Sequence, residues 1–446
     1  MVDRTARVAL TIAGSDPSGG AGIQMDLKCF AAVGVHGCSV LTAVTVQNTS
    51  GVKSANPVSP KLVREQLDAI FDDFKIDIAK TGMLYDSAIV EVVAARMAEE
   101  GTPLLVDPVL APTAGSPLAS HDLAGALKLR LLPKALLVTP NIPEAEELSG
   151  VKIRGEDSMR RACLEIYQLG CENVLLKGGH IPHGPANDLF YDGAFRSFEG
   201  KRLGRDVHGT GCMLSAFAAA VLAKGLPMTE AIGIAKLYVT EAIRFSESPG
   251  KGRFIGNPFV KLMNSAQKFD VLDGVQRWSG TLEDTLPVSL IPETGVNLAF
   301  ALPFATEPEE VCALEGQLVR AGRRAKRAGN PAFGASNTVG WVVLAAMRAD
   351  KRFRSALNLR YSKPLVELCR TLGLKIGTFD RKREPKDSDS TIAWGAGAAV
   401  SALGFVPDVI YDEGAHGTEP MLFLLGASPQ QVVEKVGLIV KGLKER

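Results

Sequence analysis

The stretch VHGTGCMLSAFAAAVLAKG, residues 207–225, carries the most chemistry in the smallest space. Leu214, Phe217, Ala218, Val221 and Leu222 recur at helical spacing, which predicts a helix that buries that face. Gly209, Thr210 and Gly211 then fall at its N-terminus, where backbone N–H groups lack intrahelical acceptors and the helix dipole favours an anion. A helix start that needs glycine only for packing would read the same way. Cys212 lies in the first turn, so the helix end and any nearby cation are expected to lower its thiol pKa and make it a base or thiolate. The competing role for a free cysteine is that of a small buried hydrophobe.

Three further apolar runs end in polar residues. PLLVDPV ends in Asp107, LLVTPNIPEAEEL carries Thr139, Asn141 and Glu144, and VLLKGGH carries Lys177. Ligands of open α/β sheets bind beyond the carboxyl ends of the strands. Asn141 and Glu144, three apart in a loop entering a helix, could reach a hydrated magnesium ion, and Lys177 could meet a phosphate. A helix cap or a solvated charge explains each residue singly; together, at successive strand ends, they point to a nucleotide phosphate site.

A fourth feature is TIAGSDPSGGAGIQMDL, residues 11–27. Gly14 and Gly19 have the glycine spacing of a Walker A loop, but Gly20 and Ala21 stand where its lysine and hydroxyl residue belong. The dinucleotide fingerprint fails too, because Gly20-Ala21-Gly22 is followed by Met25 instead of a third glycine. A tight strand-to-helix turn is the plain alternative.

The elements that position these residues alternate. RVALTIAG, KIDIAKTGML, PLLVDPVL, ALLVTPN and NVLLKGG read as strands separated by amphipathic segments such as Leu62, Leu67, Ile70 and Phe74. That rhythm predicts βαβ units around a mostly parallel sheet covered on both faces. DLFYDGAFRSFEG adds a hairpin at Asp192-Gly193. SESPGKGRFIGNP, residues 246–258, reads as a linker, and beyond a partly helical stretch at 259–285 the chain again mixes strand-like runs (VNLAFALP, DVIYDE) with helical ones (NTVGWVVLAAMRA, SPQQVVEKVGLIVKGL). The expected division is a first domain at 1–250, a linker at 251–275 and a second, smaller α/β domain at 276–446.

Composition excludes several classes. The chain has 446 residues, 46% hydrophobic and 22% charged, enough for two cores. Fifty basic against 49 acidic residues leave a formal charge of +1, so no nucleic acid partner is expected. Seven cysteines without a C-x-x-C pair suit reduced thiols. The run Val8 to Ala13 is too short for a signal peptide and Leu214 to Ala223 too short for a membrane span. A cytoplasmic, non-membrane protein is expected, with a homo-oligomer as its expected state.

In chain order, AGSDPSGGAGIQMDLK, TAVTVQNTSGV, KTGML, TPNIPEAEEL, LLKGGH and HGTGC resemble the hydroxymethylpyrimidine/phosphomethylpyrimidine kinases of thiamine biosynthesis, across residues 5–250. The resemblance implies a ribokinase-like three-layer α/β/α sandwich and a transfer of phosphate from ATP to hydroxymethylpyrimidine and then to its monophosphate. It implies that Gly14, Asp26, Gln47 and Met83 border the pyrimidine, with Gln47 giving amide hydrogen bonds to the ring edge. HGTGC would form the anion hole, with Cys212 where sugar-kinase relatives place an aspartate base. Asn141 and Glu144 would support magnesium, and Lys177, with Asp107 and Thr139, would lie near the ATP phosphates. A pyridoxal-type vitamin kinase is the alternative within the fold.

Further on, LIPETGVNLAFALP, FGASN, ALNLRYS, TIAWGAG and PDVIYDEGAHGTEPM resemble the ThiN-type thiamine-phosphate synthase domain, across residues 285–440. This implies coupling of the pyrimidine diphosphate with thiazole phosphate, releasing pyrophosphate. Arg320, Arg323, Arg324, Lys326 and Arg327 are expected on a helical stretch, and Ser336, Asn337, Asn358 and Arg360 in turns; arginine forks match phosphate geometry. Asp412, Glu413 and His416 follow a strand-like run and could bind magnesium or donate a proton to the leaving pyrophosphate. Catalytic members of that family carry a histidine after the asparagine of GASN, where this chain has Thr338. A non-catalytic, thiamine-phosphate-sensing domain is therefore the alternative for this half.

Overall fold

A computed structural model describes residues 6–110, 122–180, 186–385, 388, 390–415 and 417–445. The chain divides into two compact units, Met1–Leu262 and Met263–Arg446.

In the first unit the elements run β1 (Val8–Ser15), α1 (Gly22–Ala32), β2 (His36–Asn48), β3 (Gly51–Pro57), α2 (Pro60–Asp73), β4 (Ile78–Thr81), α3 (Ser87–Glu100), β5 (Leu104–Val106), α4 (Leu123–Ala126), β6 (Leu137–Val138), α5 (Ile142–Ser149), α6 (Glu156–Tyr167), β7 (Val174–Leu176), β8 (Asp188–Tyr191), β9 (Phe195–Phe198), β10 (Val207–His208), α7 (Thr210–Ala223), α8 (Met228–Arg244) and β11 (Phe254–Ile255). Nine strands form one sheet in the order β3-β2-β1-β4-β5-β6-β7-β8-β9. The centre is parallel, as the continuous apolar runs predict, since β1 is buried over seven of its eight residues. Antiparallel pairs finish both edges, β2 with β3 and the β7-β8-β9 meander, the latter turning at the expected Asp192-Gly193.

Two apolar clusters cover the two faces. Residues from α2 to α6 build one, and residues from α1, α7 and α8 the other, which gives the three-layer sandwich. The expected one-faced α7 is buried on nearly every side, with only Leu222 of the apolar stripe half-exposed. Its alanines allow this, because small side chains let α1 and α8 approach closely along its length. A helix so enclosed holds its N-terminus rigidly.

The expected linker at 251–275 is structured instead. Phe254–Ile255 forms β11, parallel to β10, and the residues after it form the short helix α9 (Val260–Ala266), in which the division between units falls, and the start of α10 (Lys268–Thr285). Gly and Pro marked a turn-rich crossing correctly, but hydrogen bonds such as Arg253 N–H to Thr49 O fix it to the first unit.

The second unit continues with β12 (Leu298–Ala301), β13 (Val311–Leu314), β14 (Leu318–Ala321), β15 (Arg324–Arg327), β16 (Pro331–Phe333), α11 (Asn337–Ala349), β17 (Ser355–Arg360), α12 (Lys363–Thr371), β18 (Ile376–Thr378), α13 (Thr391–Leu403), β19 (Val409–Tyr411), β20 (Met421–Gly426) and α14 (Pro429–Lys444). Its seven-stranded sheet runs β16-β13-β12-β17-β20-β19-β18, with only β18 and β19 parallel. The basic cluster expected on a helix is a β-hairpin: β14 and β15 pair antiparallel around Gly322, whose φ of 62° suits a tight reversal. The hairpin rests on Leu318 and Ala325, the two buried residues of its strands, while the arginines between them face solvent.

Candidate functional site

A cavity of about 330 Å3 opens in the first unit at the carboxyl ends of the central strands. One end is apolar, where Met83 packs with Ala43 beside Val52 and Val109. Gly14 belongs there for a steric reason: a Cβ on it would come within 2.3 Å of Met83 Cε. Gln47 lies on the same part of the wall, just where the β2–β3 pairing shifts register, an irregularity of the kind that re-aims a side chain.

The other end is the start of α7. Gly209 takes φ 79° at the N-cap, and the first helical bond runs from Met213 N–H to Gly209 O. The N–H groups of Thr210, Gly211 and Cys212 therefore have no intrahelical acceptor, and all three residues line the cavity. Glycine is required at 209, because a Cβ would sit 1.9 Å from Gly20 O. The loop of residues 14–22 thus packs behind the start of α7 as well as bordering the apolar end.

Charges sit between these ends. Lys177 Nζ bonds Asp107 Oδ1 at 2.8 Å and lies so near Gly211 that a Cβ there would come within 3.1 Å of it. Thr139 is fully buried; its hydroxyl donates to Asp107 Oδ1 at 3.1 Å, and Ser215 donates to Oδ2 at 3.1 Å. Thr139 thus braces the carboxylate and is not part of the cavity wall. Burial opposes ionisation of Asp107, but Lys177 and Lys80 hold its carboxyl below the ordinary value.

Asn141 and Glu144 both reach the cavity and also cap α5: Asn141 Oδ1 accepts from Glu144 N–H at 2.9 Å, and Glu144 Oε2 accepts from Asn141 N–H at 2.8 Å. Capping and lining are the same geometry here. Burial pushes the Glu144 carboxyl up to about 7, against the pull of Lys177.

Two expectations need correction. Asp26 does not border the cavity; it is completely buried beneath Lys80, whose Nζ it binds at 2.8 Å, while Thr11 donates to the same oxygen at 2.7 Å. Helical spacing puts Asp26 on the face of α1 that packs against the sheet, so it meets the lysine of β4 first. Cys212 does not have a lowered pKa. Although it opens partly onto the cavity, burial pushes its thiol up to about 11, outweighing Lys80 and the N–H of Gly22 that favour the thiolate. Apolar packing of α7 overrides the dipole there.

The lysine itself was missed, because KIDIAKTGML reads as a buried strand and gives no sign that one lysine ends it inside a cleft. Burial works against its charge, yet Asp26, Cys212 and Asp107 beside it hold the Lys80 ammonium well above its ordinary value. Also missed were Asp16, which ties down the glycine loop by accepting from Ser18, Gly20 and Ala21 N–H groups, and His208, which Asp16 binds at 3.1 Å. Asp16-Pro17-Ser18-Gly19 was a legible turn signal.

In the second unit the expected residues serve the fold more than a cavity. Arg320 bonds the carbonyl of Ile291, and Arg327 pairs with Glu283 at 2.7 Å. Ser336 caps α11, accepting from Val339 N–H, and Asn337 is the first residue of that helix. Asn358 and Arg360 lie in β17, not in turns; Asn358 is buried and exchanges hydrogen bonds with Asn297 N–H and Gly295 O. Asp412 is fully buried and held at both oxygens by Arg381, at 2.7 and 3.0 Å. A carboxylate so engaged anchors Arg381 and is not placed to bind a metal ion or give up a proton. Glu413 accepts from Tyr361 at 2.9 Å, and His416 lies outside the described residues. Arg360 and Asp412 do share one sheet edge, opposite and beside Met421. Arg381 was the missed residue; it sits in RKRE, a charge run that sequence patterning assigns to solvent.

No helix among the described residues is long and apolar enough to cross a membrane. Residues 16–257 match the family model of phosphomethylpyrimidine kinase, and residues 275–437 that of the thiamine-phosphate synthase ThiN. The chain is 31% identical over 435 residues to the bifunctional thiamine biosynthesis protein ThiDN of Methanocaldococcus jannaschii, covering 97% of this chain and 98% of that protein. It is 48% identical over 246 residues to the thiamine biosynthesis bifunctional protein ThiED of Geobacter sulfurreducens, covering 54% of this chain and spanning only 50% of that relative's length. Among solved structures, an ADP complex of Bacillus subtilis pyridoxal kinase aligns with a TM-score of 0.53 at 36% identity, over 57% of this chain and 97% of that one. With a nine-stranded α/β/α sandwich of the ribokinase-like kind and a second unit matched in its own right, the chain belongs to the phosphomethylpyrimidine kinase family, in the form that carries a ThiN domain behind the kinase.

Proposed function

We propose that the protein phosphorylates hydroxymethylpyrimidine and then its monophosphate with ATP, and joins the resulting diphosphate to thiazole phosphate to give thiamine phosphate and pyrophosphate. One observation carries the kinase half: a single cavity has an apolar, amide-bearing end at Gly14, Gln47 and Met83 and an anion-binding end at Gly209–Cys212 with Lys177. A ring held at the first end presents its substituent to a phosphoryl group held at the second.

Phosphoryl transfer requires in-line positioning and neutralisation of charge more than covalent help. The N–H groups of Thr210, Gly211 and Cys212 supply donors that are already oriented, and Lys177 adds a cation held by Asp107. In the first step the hydroxymethyl oxygen bonds to the γ-phosphorus, the bond to ADP breaks, and the hydroxyl proton departs late, to the thiolate fraction of Cys212 or to water. In the second step a phosphate oxygen attacks and carries no proton that must be removed. A thiol near 11 leaves that thiolate fraction small at neutral pH, and only the first step draws on it.

Among the described residues no three His, Cys, Asp or Glu side chains are grouped to hold a metal ion. The oxygens of Asp107 are taken by Thr139, Lys177 and Ser215. This donor set fits a magnesium ion carried on the nucleotide phosphates and reached by Glu144 and Asn141 through water. Such an ion would neutralise charge on the phosphates.

The second half of the proposal rests on the ThiN match and on the likeness to a bifunctional relative along nearly the whole chain. Incubation of the full chain with ATP, hydroxymethylpyrimidine and thiazole phosphate is expected to yield ADP, thiamine phosphate and pyrophosphate. Monophosphate or diphosphate accumulating without thiamine phosphate would leave a kinase with a sensing domain, and pyridoxal consumed as fast as the pyrimidine would overturn the specificity.

A further inference from the structure

Gln47 sits in a hydrogen-bond network whose proton count does not close as drawn. Its Nε2 is 2.7 Å from His208 Nε2, and the same His208 nitrogen is 3.1 Å from Asp16 Oδ2. Its Oε1 is 3.4 Å from the hydroxyl of Thr45, which already donates to Ser15 O at 2.8 Å.

Each contact fixes a proton. Asp16 accepts from Ser18, Gly20 and Ala21, and despite burial the bonds from His208 and Ser18 hold its carboxyl below the ordinary value; it is an acceptor only. His208 Nε2 must then carry a hydrogen, since a bare ring nitrogen would face the carboxylate lone pair to lone pair. An N–H cannot also face the amide N–H of Gln47. Independently, Thr45 has one hydroxyl proton and spends it on Ser15, so toward Gln47 it can only accept. One half-turn of the Gln47 amide resolves both conflicts, placing Nε2 at Thr45 and Oε1 at His208, whose single Nε2 hydrogen is then shared between Gln47 Oε1 and Asp16 Oδ2.

We propose that His208, anchored by Asp16, is a positioning residue that locks the amide of Gln47 with its oxygen toward β10 and its nitrogen toward Thr45, so that the cavity selects a ring offering a donor and an adjacent acceptor in that order. An aminopyrimidine edge, an exocyclic amine next to a ring nitrogen, has this pattern. The inference rests on the pyrimidine specificity proposed above and deepens it. The anchoring is steric as well as polar, because a Cβ on Gly20 would lie 2.7 Å from His208 Cδ2; the glycine loop is shaped to seat this ring.

Two measurements on the full chain test it. In ligand-free protein, the imidazole 15N shifts of His208, assigned against the His208→Phe variant, should show a protonated Nε2; a bare Nε2 overturns the proposal whether or not any pyrimidine binds. By calorimetry with 4-amino-5-hydroxymethyl-2-methylpyrimidine, His208→Phe should weaken binding about tenfold or more and Thr45→Val by about threefold, each as the loss of one hydrogen bond's worth of orientation. In a Gln47→Leu background both substitutions should change the dissociation constant by less than about twofold, because the group they orient is gone. Effects that persist in that background, or are absent with Gln47 present, would overturn the role of His208. A wild-type chain that binds no pyrimidine would instead refute the specificity, leaving the tautomer result to decide the network.

Discussion

Glu144 gives a stability prediction whose sign and size follow from its surroundings. It is 7% exposed, and burial lifts its carboxyl from an ordinary 4.5 to about 7. Between those values the unfolded chain has lost the proton while the folded chain still holds it, so stability falls as pH rises through that window and is level above it. At 1.36 kcal/mol per tenfold change in proton affinity, the ionised carboxylate costs the fold roughly 3 kcal/mol at pH 8 and roughly 1 kcal/mol at pH 5. Glu144→Gln keeps an oxygen for the Asn141 N–H and removes the charge. The variant should therefore be the more stable, by about 3 kcal/mol at pH 8 and about 1 kcal/mol at pH 5, which for a unit of this size is a rise in Tm of roughly 6–12 °C at the higher pH. All three tryptophans, at 278, 341 and 394, lie in the second unit. A calorimetric transition that tryptophan fluorescence does not follow is thus that of the first unit, and is the one to compare. A variant equally shifted at both pH values, or less stable at pH 8, would refute the reasoning and mean that Lys177 keeps Glu144 ionised.

Two other substitutions separate the roles of buried groups. Cys212→Ala should slow phosphorylation of the hydroxymethyl compound by roughly 10²-fold or more, the usual contribution of a proton-transfer group, and that of the monophosphate by less than about tenfold; equal losses in initial rates with the two substrates would remove Cys212 from the proton's path. Lys80→Met leaves the Asp26 carboxyl, which burial already pushes up, without its partner at zero exposure and should cost about 3–5 kcal/mol in the first unit's unfolding, whereas Lys80→Met with Asp26→Leu should recover most of it. If the double variant is no better than the single, the pair holds more than its own charge balance.

How far the sequence reveals this site depends on which periodicity governs each residue. Strand ends were legible: Asp107, Asn141 and Lys177 follow apolar runs, and the sheet brings them to one cavity because parallel strands end on the same side. The start of α7 was legible from HGTGC for a similar reason. Asp26 and Lys80 were not, because each sits on an element that reads as core, and only the contact between α1 and β4 tells that two opposite charges share one burial. Cys212 misled because dipole and burial act in opposite directions, and sequence shows the dipole but not the packing density behind it. In the second unit the arginine hairpin misled because β14 and β15 are only four residues each, with one buried residue apiece, too short to stand out against a run of basic residues.

The charges of the cleft bear on why one site can accept two different acceptors. Lys80 is matched by Asp26 and Lys177 by Asp107, so the floor is close to neutral before substrate enters, more so while Glu144 keeps its proton. A site that relied on an unmatched cation would hold the monophosphate tightly in the ground state and gain little in the transition state. Here backbone N–H groups at the head of α7 have no intrahelical acceptor and are held by a closely packed helix; in the proposed function they meet the phosphoryl group. They favour charge developing on that group over charge anywhere else in the cavity, and a hydroxyl or a phosphate oxygen can attack toward it alike. The glycine loop packed against Gly209 touches both the head of α7 and, through Asp16 and His208, the amide of Gln47, so in the proposed function it is the element that fixes the spacing between the two ends of the cavity.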